Sequence, residues 1–242
     1  MLKNYSAGPI TWDIKSQLQG RPAHEAIALL LAWANITSVV SAADYTTKLH
    51  VIQEREFQKA QPLPGVEKLL LDLKSAKTGR TGEKIHIALA TSSHKHHFDI
   101  KTAHLDDLFS VFEPHLRVLG DDPRIPKGRG KPNPDIYLVA LNAINESLGE
   151  GEKEIKPEEC LVFEDGIPGV VAGRRAGMRV VWVPHAGLAA QYKGREEEVL
   201  AGRGEEAHTD VEQLGVVGDG RGEQLVTLER FPYGKYGIVV KD

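Results

Sequence analysis

Cys160-Leu161-Val162-Phe163-Glu164-Asp165-Gly166 is a short apolar run that ends on two adjacent carboxylates and a glycine. A run of this length, closed by a turn signal, reads as a buried strand. The residues that follow, Ile167-Pro168-Gly169-Val170-Val171-Ala172-Gly173, are small enough for a helix to lie close against a sheet. A second apolar run, Met178-Arg179-Val180-Val181-Trp182-Val183, comes next, and Ile85-His86-Ile87-Ala88-Leu89-Ala90 precedes both. This alternation of strand, loop and helix predicts an α/β fold, a Rossmann-like parallel sheet covered by helices. In such sheets the ligand site lies beyond the carboxyl ends of the strands.

The chain ahead of this pattern reads differently. Ala26, Ile27, Leu29, Leu30, Leu31 and Trp33 form one apolar face after Pro22, and a second helical stretch runs over 39–57. Pro62-Leu63-Pro64-Gly65 breaks the helical rhythm, and Val66-Glu67-Lys68-Leu69-Leu70-Leu71-Asp72-Leu73 opens a new amphipathic helix. A helical domain over 1–61 and an α/β domain over 62–242 are therefore expected. Residues 77–84 and 146–157 read as surface loops, and the tail from about 210 as a last short helix with irregular chain.

Composition excludes some functions. The 242 residues carry 34 acidic and 30 basic side chains, a net charge of −4, which does not suit a surface built for nucleic acid or anionic membrane. No apolar stretch reaches the roughly 18 residues of a membrane span, and Met1-Leu2-Lys3-Asn4-Tyr5-Ser6 lacks a signal peptide's apolar run. A soluble cytoplasmic protein is expected. Cys160 has no second cysteine to pair with and reads as a buried apolar residue without a catalytic role.

Three segments carry chemistry. Thr91 and Ser92 directly follow a strand, where a hydroxyl and backbone N–H groups can hold phosphoryl oxygens at a helix start. The same residues also serve as plain helix caps. Lys131, between Gly130 and Pro132, would sit on a stiff loop before a helix as a fixed cation, although a lysine alone is usually solvated. Glu164 and Asp165, at a strand end, must be solvated, cap the next helix, or be neutralised by a cation such as Mg²⁺. The cluster His94-Lys95-His96-His97, the basic loop 124–131 and Glu196-Glu197-Glu198 read as solvated surface.

Together these segments resemble the haloacid dehalogenase-like hydrolase superfamily. The likeness is to its helical-cap phosphatases, among them pseudouridine 5′-phosphatases, glycerol-phosphate phosphatases and β-phosphoglucomutase. It runs over 12–184 and is strongest at 88–93, 118–137 and 160–184. It implies a helical cap at the N-terminus and a phosphate-binding role for Thr91, with Ser92, and for Lys131. It further implies that Glu164 and Asp165 bind Mg²⁺, that Arg21 in Leu18-Gln19-Gly20-Arg21-Pro22 contacts substrate, and that the substrate is a small phosphorylated metabolite.

One departure is severe. The family's first strand ends in Asp-x-Asp-Gly, whose first Asp attacks phosphorus and whose second exchanges a proton with the leaving group. No Asp-x-Asp occurs in this chain, and Asp13 follows Thr11-Trp12 with no apolar strand ahead of it. Losing an oriented nucleophile removes most of an enzyme's ~10⁶-fold or greater acceleration. Mg²⁺ binding should be weak or absent without those ligands. The family's missing strand is central, so the strands ending at Ala90 and Phe163 should stand about 9.5 Å apart, two strand spacings. The expectation is a chain shortened ahead of residue 1, belonging to a Mg²⁺-dependent phosphomonoesterase and inactive as written. The alternative is a non-catalytic module that binds a phosphorylated ligand or a protein.

Overall fold

The computed structural model describes residues 1–19, 23–203 and 215–240. After a 3₁₀ turn at Leu2–Tyr5 come three helices, α1 (Trp12–Leu18), α2 (Ala23–Trp33) and α3 (Ala42–Phe57). The apolar face expected after Pro22 is present: Ile27, Leu30 and Leu31 of α2 pack with Leu2, Ile36, Val40 and Tyr45 in a cluster of their own. Ser41 caps α3 by accepting the Asp44 N–H, and its hydroxyl donates back to the Asp44 carboxylate. Helix α1 leans the other way. Trp12 stacks on His185 at 4.8 Å, over Gly187, where a Cβ would come within 1.8 Å of the indole nitrogen.

The chain then enters the α/β body with α4 (Val66–Ser75), β1 (Lys77–Thr78) and β2 (Leu89–Ala90). Next are α5 (Lys95–Thr102), α6 (Asp106–Phe109), β3 (Arg117–Val118) and α7 (Asp135–Glu146). The last stretch holds β4 (Leu161–Glu164), α8 (Ile167–Arg175), β5 (Arg179–Trp182), α9 (Ala186–Gln191), α10 (Glu196–Leu200), β6 (Gly222–Gln224) and β7 (Ile238–Val239).

Strands β4, β5 and β6 form a parallel three-stranded sheet in that order. Period-two alternation sends Val162, Val180 and Trp182 to one face and Leu161, Phe163, Val181 and Val183 to the other. Both faces are covered, which is why these strands are continuously apolar. Helix α8 approaches closely because of its small residues: a Cβ on Gly173 would meet Val180 at 2.9 Å and Val162 at 3.3 Å.

Two expectations are corrected. The tail is not irregular throughout: among its described residues, β6 extends the parallel sheet and β7 pairs antiparallel with β1. Phe231 is buried against Phe163, and the Leu228 N–H donates to Pro64 O. The sparse apolar residues of a Gly-rich tail concealed this, because each strand there is set by its partner. The strand expected over 85–90 also contracts to Leu89–Ala90, the two residues paired in parallel with β3.

The contraction has a physical cause. Among the described residues, strand β2 pairs only with β3, and β4 only with β5, so the parallel sheet lies in two pieces. Among the described residues, the N–H groups of His86, Ile87 and Ala88 donate no backbone hydrogen bond. A cavity of about 800 Å³ separates the pieces, lined by Ile85, Ile87 and Leu89 on one side and Leu161, Val162 and Phe163 on the other. Amides at 86–88 should therefore exchange with solvent faster than those of Val180–Trp182, by on the order of a hundredfold or more. Hydrogen exchange read by mass spectrometry checks this, and equal protection of both segments would contradict an open sheet.

Candidate functional site

The carboxyl ends of β2 and β4 are joined by one side chain. Lys131 approaches from the loop before α7, and its ammonium donates to Ala90 O at 3.2 Å and to Glu164 Oε1 at 2.5 Å. The loop is pinned on several sides. Asn133 donates to Gly130 O at 3.0 Å, Arg129 pairs with Asp135 at 2.9 Å, and Arg175 of α8 donates to Pro132 O at 3.1 Å. The side chains of Lys131 and Glu164 are 10% and 9% exposed, so this is a buried ion pair. Removing either partner of such a pair leaves an uncompensated charge.

Glu164 has a third neighbour, Tyr137 of α7, whose hydroxyl donates to the same Oε1 atom. Burial, then the Glu164 charge, holds the Tyr137 phenol well above its ordinary pKa, so it stays a donor. The Lys131 ammonium also lies 5.0 Å from the Tyr137 ring centroid. Space for the carboxylate comes from Gly169, where a Cβ would come within 1.9 Å of Glu164 Cδ. The small-residue helix thus serves the site as well as the packing.

Asp165 follows at the rim. Its residue surface is exposed, yet protein surrounds its carboxyl closely enough that desolvation, then the Glu164 charge, raises its pKa. The adjacent acids therefore differ: Glu164 is held by Lys131 and Tyr137, and Asp165 has no cation paired to its side chain among the described residues. No group of three or more metal-ligating side chains occurs among the described residues. Mg²⁺ requires near-octahedral oxygen ligation. A donor set of one carboxylate held by Lys131 and Tyr137 and one that accepts the Asp165 and Gly166 backbone N–H groups does not supply it, so these residues do not by themselves fit the ion.

On the other side of Lys131, Thr91 continues β2. Its N–H is bound to Val118 O at 3.0 Å, so it is not free for a ligand, contrary to the expectation of paired backbone donors. Thr91 Oγ1 accepts the Ser93 N–H at 3.2 Å, which leaves the hydroxyl proton free to donate. Helix α5 begins only at Lys95, so Thr91 and Ser92 do not cap it. Ser92 is exposed, and its carbonyl presses on Gly120, where a Cβ would sit 2.2 Å away. Ser93, one residue on, is half-buried and lines the cavity with Thr91. Arg21 lies outside the described residues.

The structure brings Thr91, Lys131, Glu164 and Asp165 to one end of the split sheet. It adds Tyr137, Ser93 and Lys101, none of which sequence reasoning assigned a role. Tyr137 could have been found as a polar aromatic on the buried stripe of α7 with Ile136, Ala140 and Leu141. Lys101 gave no such signal, because its neighbours come from three separate segments.

A model of the haloacid dehalogenase-like hydrolases matches residues 11–177. The chain is 38% identical to a "Probable pseudouridine-5′-phosphatase" of Saccharomyces cerevisiae, over 98% of this chain and 86% of that protein. It is 31% identical to (DL)-glycerol-3-phosphatase 2 of Arabidopsis thaliana, over 78% of this chain and 72% of that one. Among solved structures, a HAD hydrolase of family IA, variant 3, from Entamoeba histolytica superposes with a TM-score of 0.61 at 19% identity. That likeness covers 98% of this chain and 86% of the other and concerns the fold alone. The match over residues 11–177, which takes in the Lys131 loop and the acidic pair of β4, makes this chain a member of the haloacid dehalogenase-like hydrolases.

Proposed function

We propose that this chain carries the phosphate-binding part of a phosphomonoesterase acting on a small phosphorylated metabolite. The single observation that supports it most is Lys131 held between Ala90 O and Glu164 beside the Thr91 hydroxyl. An ammonium has three donors, and two are engaged, so the third can meet a phosphoryl oxygen. Thr91 Oγ, relieved of its acceptor role by the Ser93 N–H, supplies a second donor. These preset donors stabilise charge on a phosphoryl group without reorganising. Residues 1–61 would act as the cap over the α/β body of 62–242, and Arg21 would contribute to substrate contact.

These 242 residues contain no Asp-x-Asp, so in this reading the nucleophile would come from outside them. The open edges of β2 and β4 would receive the strand that bears it, parallel to both, with its carboxyl end beside Lys131. Its first Asp would attack phosphorus and release the alcohol, protonated by its second Asp. Water would then cleave the aspartyl-phosphate, losing its proton to that second Asp. Asp165 would be this chain's contribution to a Mg²⁺ site whose other protein ligands arrive with the strand. As it stands, the chain would bind phosphate weakly and turn nothing over, which is also how a non-catalytic binding module would behave.

Phosphate release from a panel of phosphomonoesters tests this. The chain alone should give no release above background with Mg²⁺ present. Joining an apolar strand that ends in Asp-x-Asp ahead of residue 1 should produce hydrolysis, and Asp165→Asn should then lower it on the order of a hundredfold. Hydrolysis by the unextended chain that Asp165→Asn abolishes would contradict the proposal. A folded, extended chain with no activity would favour the binding module.

A further inference from the structure

Lys101 is a cation that the proposed chemistry does not use. It lies in the last turn of α5, and its ammonium donates to Ser93 Oγ at 2.9 Å while standing 4.3 Å from the ring centroid of Phe57 at the end of α3. The side chain is half-buried and lines the same cavity as Thr91 and Ser93. Among the described residues no carboxylate comes within ion-pair distance of it. The neighbouring charge that acts on it most is that of Asp165, felt without contact. Burial pulls its pKa down, which is the mark of an ammonium stripped of water without an anion in return.

The contrast with Lys131 gives this meaning. Lys131 has its charge matched by Glu164, so that pair presents almost no net charge to a ligand. Lys101 has one of three donors engaged, by a neutral hydroxyl, and its charge is unmatched. Ser93 connects it to the site: its N–H holds Thr91 Oγ1, and its own Oγ accepts from Lys101. When Ser93 Oγ accepts, its proton is free to donate outward, so Thr91, Ser93 and Lys101 offer donors into one space.

We propose that Lys101 is the cation that binds the phosphate dianion in this chain, acting with the Thr91 and Ser93 hydroxyls while Lys131 supplies a preset donor. Phe57 covers one side of the ammonium and limits its solvation, which strengthens its attraction for an anion. The ligand class is a phosphate dianion, free or as a monoester. This inference rests on the phosphate reading of Thr91 and Lys131 given above.

Calorimetric titration of the full chain with inorganic phosphate and with glycerol 3-phosphate, without Mg²⁺, tests it. Lys101→Met should weaken both ligands about ten- to hundredfold, the scale of a lost charged hydrogen bond. Lys101→Arg should keep most of the affinity, and Ser93→Ala should lose part of it. Thermal melts establish that each variant is folded. If Lys101→Met leaves phosphate binding intact while Thr91→Ala and Lys131→Met abolish it, the assignment of Lys101 is overturned and the phosphate reading stands. If Lys101→Met weakens only the ester, Lys101 touches the leaving group and the assignment is also overturned. No binding by the unaltered chain at millimolar phosphate would overturn the assignment together with the reading beneath it.

Discussion

The buried contact of Lys131 with Ala90 O and Glu164 holds the two pieces of the parallel sheet in register at their carboxyl ends. No backbone ladder joins β2 to β4, so a side chain does there what strand pairing does elsewhere. The arrangement depends on Gly169 leaving room for the carboxylate, on Tyr137 filling the remaining lone pair, and on the loop contacts of Asn133, Arg129 and Arg175. In the proposed function, structure and chemistry share one set of atoms, because the group that ties the sheet together would also offer a donor to phosphate.

An open central sheet is costly. The apolar residues of 85–90 are only half-buried, and the N–H groups of 86–88 lack ladder partners among the described residues. Other parts of the molecule hold the halves from outside. Strand β7 and Phe231 fasten the tail to β1 and to the Phe163 face, and Leu228 returns to Pro64. At Gly65, which has a φ of 87°, a Cβ would strike the Leu228 carbonyl carbon at 2.3 Å, so the α4 start and the tail fit only with glycine there. In the proposed function, the strand that bears the nucleophile would satisfy both edges and end beside Thr91, Lys131 and Asp165.

Much of this was legible in the residues. The runs at 160–163 and 178–183 are apolar on both faces because helices and the tail cover both sides, so their strands stood out. Thr91, Lys131, Glu164 and Asp165, which the fold gathers at one end of the sheet, stood out because each lies next to a strand end or a stiff loop. What stayed hidden depended on distant partners. The sequence of 85–90 has the composition of a full strand, but pairing needs a neighbour, and only Leu89 and Ala90 have one. The tail pairs with residues about a hundred and sixty positions earlier at Lys77–Thr78, which no local pattern reveals. That Glu164 and Asp165 differ, one clamped by a cation and one not, follows from Lys131 and Tyr137 arriving through the fold.

The central claim is that the Lys131–Glu164 pair couples the two halves of the sheet. A double-mutant cycle of Lys131→Met and Glu164→Gln, followed by urea denaturation, measures that coupling directly. The account predicts that the two losses of stability are non-additive by about 1–3 kcal/mol, the double variant being less damaged than the sum. Losses that add to within about 0.5 kcal/mol would show the two side chains acting independently and would contradict it.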